Sequence, residues 1–243
     1  MTRGAVSGRP TSAFERALLR DYGAVVGMDE VGRGSLAGPV AVGAVLIDRS
    51  VGKAPAGLAD SKLLPALRRE QLVSPIRRWS RTSAVGWATP AEITELGLTQ
   101  ALRLAGIRAL GLVGVGAGVR VGVGGSDPSA SSSVASPVCV LLDGSYDWLS
   151  APAPTLFDEG AEAPRQEFDV ITKVKADLTS RLVAAASILA KVARDRYMSA
   201  LPDPGYDWGS NKGYASGRHV AALRELGPCS HHRLGWQLPG VIP

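Results

Sequence analysis

Two apolar runs near the start of the chain bracket a polar turn. Residues 24–28 (AVVGM) and 40–47 (VAVGAVLI) have the length and continuity of buried strands, and between them stand acids, glycines and Pro39. The glycines and the proline exclude a helix there, so the two runs predict a pair of strands joined by a turn. Before them, residues 14–20 predict a short helix. Asp60, Ser61 and Lys62 fall in a loop, a helical stretch follows through Arg77, and the alternation over 79–87 predicts a third strand. Thr89 and Pro90 form a helix start, cap then first position, and apolar residues at Ile93, Leu96, Leu102, Ile107 and Leu110 extend that helix to about residue 110. Further on, 138–142 and 168–174 predict strands and 178–201 a long helix. A polar loop then carries Tyr206, Trp208 and Tyr214. Ser216 caps a last helix that Gly227 and Pro228 stop.

Residues 111–137 interrupt this order with a low-complexity run of Gly, Val and Ser, which predicts a flexible insertion. Three hairpin-connected strands followed by helices alternating with strands indicate an α/β fold, a mixed central sheet flanked by helices. The expected organisation is a tail and short helix over 1–22, one domain over 23–234 ending in a helical part, and a closing tail over 235–243.

Composition changes this picture little. Of 243 residues, 45% are hydrophobic and 20% charged, an ordinary globular balance with room for a sizeable core. Lys and Arg exceed Asp and Glu by 27 to 22, a modest excess that suits a polyanionic partner. Apolar runs are broken well short of membrane-spanning length, and no secretory signal opens the chain. Only Cys139 and Cys229 are present, which excludes a disulfide framework and leads to the expectation of a cytoplasmic protein.

The acids carry more information. Asp29 and Glu30 end one predicted strand, Asp143 ends another, and Asp177 lies just before the long helix. One such Asp alone would be an ordinary turn or cap residue. Acids at several strand ends can converge on one sheet edge, where they would repel and raise one another's pKa unless a divalent cation neutralised them. Hard oxygen ligands select Mg²⁺ or Mn²⁺, and a pair of such ions is suited to in-line phosphodiester displacement. Neighbouring strand residues point to opposite faces, so Asp29 and Glu30 can share a site only where the strand bends or ends.

Gly32, Arg33, Gly34 and the residues after them fit the loose dinucleotide pattern G-x-G-x-x-A, but a dinucleotide loop must open a helix, and Gly38 and Pro39 follow here. A bare backbone turn next to acids reads better as a surface that approaches a sugar closely, since a 2′-hydroxyl both donates and accepts. A plain tight turn is the bland alternative. Ser187, Lys191 and Arg194 share one face of the long helix, either a solvated face or a ridge that contacts phosphates. The three histidines, His219, His231 and His232, cluster near Cys229 without the second ligand group that a zinc site needs.

In the order MDEVGRGSLAGPV, Asp60-Ser61-Lys62, LLDG, KADLTSRLVAAASILAKVARDR and NKGYASGRH…LGPCSHHR, these segments resemble bacterial ribonuclease HII, the type 2 ribonuclease H family, over about residues 23–234. The resemblance implies a ribonuclease H-like fold with a C-terminal helical extension. It implies hydrolysis of RNA paired with DNA, and nicking 5′ of single ribonucleotides embedded in duplex DNA, with two Mg²⁺ or Mn²⁺ ions. It assigns Asp29, Glu30, Asp143 and Asp177 as catalytic metal ligands, and Gly32, Arg33 and Gly34 as the ribonucleotide contact. Tyr214 corresponds to the family tyrosine that stacks at the RNA–DNA junction, and Lys62 would lie near the substrate backbone. A monomer is the family expectation. Ser145 stands where many relatives of that family have asparagine, and Ala176 where glycine is frequent. Two rival readings are a metal-dependent DNA nuclease or recombinase of the same fold and a non-catalytic hybrid-binding protein.

Overall fold

The computed structural model describes residues 10–116, 137–150 and 168–241. Strands β1 (Ala24–Val31), β2 (Val40–Asp48), β3 (Thr82–Ala88), β4 (Val138–Asp143) and β5 (Phe168–Lys173) form one sheet in the order β3-β2-β1-β4-β5. β1 pairs antiparallel with β2 and parallel with β4; β3 and β5 extend the two sides antiparallel and parallel respectively. The sheet is therefore mixed, as its sequence pattern implies.

Helices α1 (Ala13–Asp21), α2 (Ala66–Trp79) and α6 (Arg181–Ala200) cover one face, where Val25, Val45, Ile47, Leu141, Leu182, Ala186 and Leu189 are buried together. Helices α3 (Pro90–Leu96) and α4 (Leu98–Leu112) cover the other, over Val26, Met28, Val42, Ala44, Val140 and Leu142. α6 lies very close to the strands, because Gly27 and Gly43 present no side chain to it. A Cβ at Gly27 would press into Leu182, and one at Gly43 into the Ala186 carbonyl. Glu15 of α1 is buried against the start of α6, accepting from the Ser180 hydroxyl at 3.0 Å and the Leu182 amide at 3.3 Å. It supplies acceptors that the first turn of a helix otherwise lacks.

After α6, the short α7 (Trp208–Asn211) and α8 (Gly217–Leu226) form the helical extension. They pack Tyr206, Trp208, Ala222, Leu223 and Leu238 against Met198 and against Leu36 and Ala37 of the turn after β1. The chain's end is thus tied to its opening motif.

Several boundaries differ from the sequence reading. β2 and β3 are antiparallel neighbours but not a hairpin: a 3-10 turn (Ser61–Leu63) and α2 lie between them, and β3 starts at Thr82 because Trp79 ends α2. The helix expected up to residue 110 is two helices, broken at Gly97, whose φ of +77° is left-handed backbone. Its start is as predicted, a reciprocal capping box between Thr89 and Glu92 behind Pro90. The expected insertion begins later than residue 111: α4 runs to Leu112, and Val113 and Val115 are core residues. Residues 117–136 lie outside the described residues. The long helix is interrupted at Ser180, so Asp177 sits in a separate turn, α5 (Ala176–Thr179).

Candidate active site

The last paired rung between β1 and β4 joins Met28 to Leu142, so Asp29 and Asp143 stand next to each other where two parallel strands end. In open α/β sheets the crevice outside the carboxyl ends of such strands is the usual ligand position. Strand alternation directs Asp29, like Val25, toward α6, and Glu30, like Val26 and Met28, toward the other face. Asp143 Oδ1 accepts from the Ala176 amide at 2.6 Å, which draws α5 and with it Asp177 up to the same edge.

The acids feel one another. Burial, then the charges of Glu30, Asp143 and Asp177, raise the Asp29 carboxyl well above its ordinary range, against a hydrogen bond from Ser187 that lowers it. Burial and Asp143 also raise Glu30, with the neighbouring Arg33 guanidinium opposing them. Asp177 is pushed up to about 6 by burial, Asp143 and Asp60, with Lys62 pulling the other way. For Lys62 burial lowers the ammonium, but Asp60, Asp29, Asp177 and Asp143 outweigh it and the net shift is upward. Glu30 Oε2 is buried without a hydrogen-bond partner. Among the described residues, however, no three His, Cys, Asp or Glu side chains stand ready-made around a common metal position. The four acids share one edge; they have not closed on a point.

A second assembly adjoins this edge. Gly32 has φ +86°, and a Cβ there would collide with the Arg194 side chain. Ser35 folds back on the turn, its amide and hydroxyl both donating to the Gly32 carbonyl. Arg33 and Gly34 remain exposed, and the space beside Gly34 is open. Two arginines, both 0% exposed, hold this loop from beneath. Arg194 donates to the carbonyls of Ala37, Pro39 and Lys212 and to the Ser35 hydroxyl. Arg233 donates to the carbonyls of Gly32, Arg33 and Gly38 and to Ser35 Oγ. Burial, then the Arg194 charge, pulls Arg233 down to about 9, so it stays charged at neutral pH.

Backbone bonds complete the assembly. The amides of Leu36 and Ala37 donate to the Gly213 carbonyl at 2.8 and 3.2 Å, and the Gly38 amide to the His231 carbonyl at 2.8 Å. Gly213 has φ +83°, and a Cβ on it would strike the Ala37 carbonyl, so only glycine brings these loops together. Tyr214 follows, partly exposed, its ring 5.5 Å from the Arg194 guanidinium carbon.

The expected phosphate ridge on the long helix is not a surface. Ser187 and Arg194 are buried, because α2, the 61–63 turn and the 32–38 loop cover that side of α6. Ser187 lies 2.8 Å from the Ser61 hydroxyl, and Lys191 pairs with Asp195 at 2.7 Å. Arg194 is a strut for backbone carbonyls with no donor face toward solvent. Sequence reasoning missed Arg233 and Ser35 as parts of this assembly. Their signal was present only as position within the quoted motifs, since burial of an arginine depends on carbonyls from elsewhere in the chain. The three histidines and Cys229 form no metal cluster among the described residues.

This fold recurs in solved ribonucleases H. The structure of ribonuclease H2 from Pyrococcus horikoshii superposes with a TM-score of 0.58 at 23% identity, covering 89% of this chain and 95% of the other. Ribonuclease HII of Archaeoglobus fulgidus, solved in complex with PCNA, gives 0.58 at 25% identity, covering 87% and 93%. The sequence narrows this class: the family model for ribonuclease HII matches residues 26–113 and 151–238, and the ribonuclease HII of Streptomyces coelicolor is 40% identical over 238 residues, 96% of this chain and 86% of that protein. The same enzyme from Paracidovorax citrulli is also 40% identical, over 87% of this chain and 73% of its own length. The chain belongs to the ribonuclease HII family, and is therefore an endoribonuclease. No helix among the described residues is long and apolar enough to cross a membrane.

Proposed function

We propose that this protein hydrolyses the RNA strand of RNA–DNA hybrids and nicks duplex DNA 5′ of single embedded ribonucleotides, leaving 3′-hydroxyl and 5′-phosphate ends. The observation that supports this most is the adjacency of Asp29 and Asp143 at parallel strand ends, coupled to Glu30 and Asp177 and flanked by the exposed turn at Arg33 and Gly34.

The donor set fits divalent cations: four carboxylates, of which Glu30 has a buried oxygen lacking any partner and Asp177 is held near 6 by its neighbours. Asp29, Glu30, Asp143 and Asp177 would hold two Mg²⁺ or Mn²⁺ ions. Such ions would supply Lewis acidity there, lowering the pKa of an attacking water and neutralising charge at the departing 3′ oxygen. Everything else falls to the chain. Ser187 lies beside Asp29 and lowers its carboxyl, and the Ala176 amide orients Asp143. Lys62, exposed beside the acids, would meet the substrate backbone.

Recognition of ribose would fall to Gly32, Arg33 and Gly34. The carbonyls of Gly32 and Arg33 are occupied by Arg233, and the open space at Gly34 lets a sugar come within hydrogen-bond reach of the backbone. Tyr214 would stack on the adjoining deoxyribose, and the 2′-hydroxyl is read without acting as nucleophile. Lys191 and Arg194 would act on substrate only indirectly, through Asp195 and through the loop.

One labelled duplex with a single ribonucleotide, run beside its all-DNA twin with Mg²⁺ and with chelator, tests the proposal. The expected result is one nick, in the ribonucleotide duplex, with Mg²⁺ only. Cutting of the all-DNA twin would instead favour a DNA nuclease, and no cutting of either a hybrid-binding protein.

A further inference from the structure

Beneath Tyr214 lies a buried pair of histidines that the chemistry above does not use. His219 and His232 are 0% and 1% exposed, and their Nε2 atoms stand 3.0 Å apart. Their protons can be assigned from their partners. The Cys229 amide donates to His232 Nδ1 at 3.0 Å, so that nitrogen is an acceptor and the proton sits on Nε2. His232 Nε2–H then donates to His219 Nε2, which leaves the His219 proton on Nδ1. That nitrogen lies 2.9 Å from the Tyr214 carbonyl, which can only accept. The Cys229 sulfur also lies 3.3 Å from His232 Nδ1, where its thiol can donate alongside the amide, so the links run in one direction, from Cys229 to the Tyr214 carbonyl. A second proton on either ring would set two N–H groups against each other.

The surroundings hold both rings in place. Tyr206 meets His232 edge-on at 4.7 Å and His219 at 5.8 Å, while its hydroxyl donates to the Gly227 carbonyl at 2.7 Å. The His219 amide is itself tied to Ser216 Oγ at the start of α8. The Lys212 and Gly213 carbonyls are held by Arg194 and by the 36–37 amides, so the Tyr214 carbonyl is the remaining acceptor of this turn, and His219 secures it.

We infer that His219 and His232 are positioning residues for junction recognition: a directed relay of neutral imidazoles that fixes the peptide carrying Tyr214, and so the height of its ring above the substrate. The inference rests on the junction-reading role proposed for Tyr214. It predicts a specificity defect in place of a general one, because the acids are held by other elements.

The test is the ratio of kcat/KM on a duplex with one ribonucleotide to kcat/KM on a continuous RNA–DNA hybrid. His219→Asn keeps an amide donor at the Nδ1 position, whereas His219→Gln places it at the Nε2 position and leaves the Tyr214 carbonyl unpaired. His219→Gln should lower the ratio about fivefold to tenfold, the scale of one neutral hydrogen bond, while His219→Asn stays near the parent. In a Tyr214→Ala background, His219→Gln should change the ratio no further. Equal losses on both substrates in both variants would overturn the relay and leave a merely structural pair. A parent-like ratio in His219→Gln together with a depressed one in Tyr214→Ala would also overturn the relay while sparing Tyr214. An unchanged ratio in Tyr214→Ala would overturn the reading of Tyr214 itself.

Discussion

The acid edge and the loop beside it are built on opposite principles. At the edge, Asp29, Glu30 and Asp177 all have raised pKa values, one buried carboxylate oxygen lacks a partner, and no metal position is ready-made among the described residues. A few residues away, the 32–38 loop is over-determined: two buried arginines and Ser35 satisfy its carbonyls, and backbone bonds join it to 213 and 231. The first region has charge to be neutralised from outside, and the second needs nothing. Under the proposed function, reactivity would be left open to an external ion and recognition would be fixed before substrate arrives. Buried polar groups that are fully paired rigidify their surroundings, and unpaired ones are costly.

The difference can be driven hardest at Asp143. Asp143→Asn keeps the acceptor for the Ala176 amide and removes only a charge, so cleavage should fall by about 10³-fold or more while the melting temperature holds. Near-normal turnover would show that this acid is not part of the chemistry. Arg233→Met attacks the other region. It strips donors from Gly32, Arg33, Ser35 and Gly38, and should cost about 3 kcal/mol or more in chemical denaturation, with activity lost alongside. A variant as stable as the parent would mean that the loop does not depend on its struts.

The smallest effect is thermal. Asp177 titrates at about 6 in the fold against an ordinary 3.8, so its charged form is disfavoured there. Without metal, that penalty is fully present above pH 6 and fades as pH falls toward 3.8. Mg²⁺ should therefore raise the melting temperature near neutral pH, with the gain shrinking below pH 6 as protons compete. Asp177→Asn should by itself raise the metal-free melting temperature by about 2–4 °C, the scale of 1 kcal/mol in a chain of this size. A lower melting temperature would argue that the acid is stabilised where it stands.

The acid edge was far more legible in the sequence than the loop's support. Asp29, Glu30 and Asp143 are readable because each ends an apolar run, and a strand's end fixes where its last side chains lie. Arg194 was misread because helical spacing reports which residues share a face, not what covers it; here the 32–38 loop and α2 do. Arg233 carries no local pattern, since its partners lie far off in the chain, whereas the partners of His219 and His232 are near in sequence but follow no period that would reveal them. The break at Gly97 was hidden by an apolar period that continues across it, and the late start of the insertion by valines that read as low complexity but are core.

Helix α6 touches both regions, with Ser187 at Asp29 and Arg194 under Gly32. Those two contacts are seven residues apart, about 10 Å of helix and close to two turns. The helix is thus a gauge rod between the acid edge and the 32–38 loop. Adding or deleting a single residue between Ser187 and Arg194 would swing one end by about 100° relative to the other. Length variation in such a protein has to be accommodated elsewhere, and this segment stays a fixed measure.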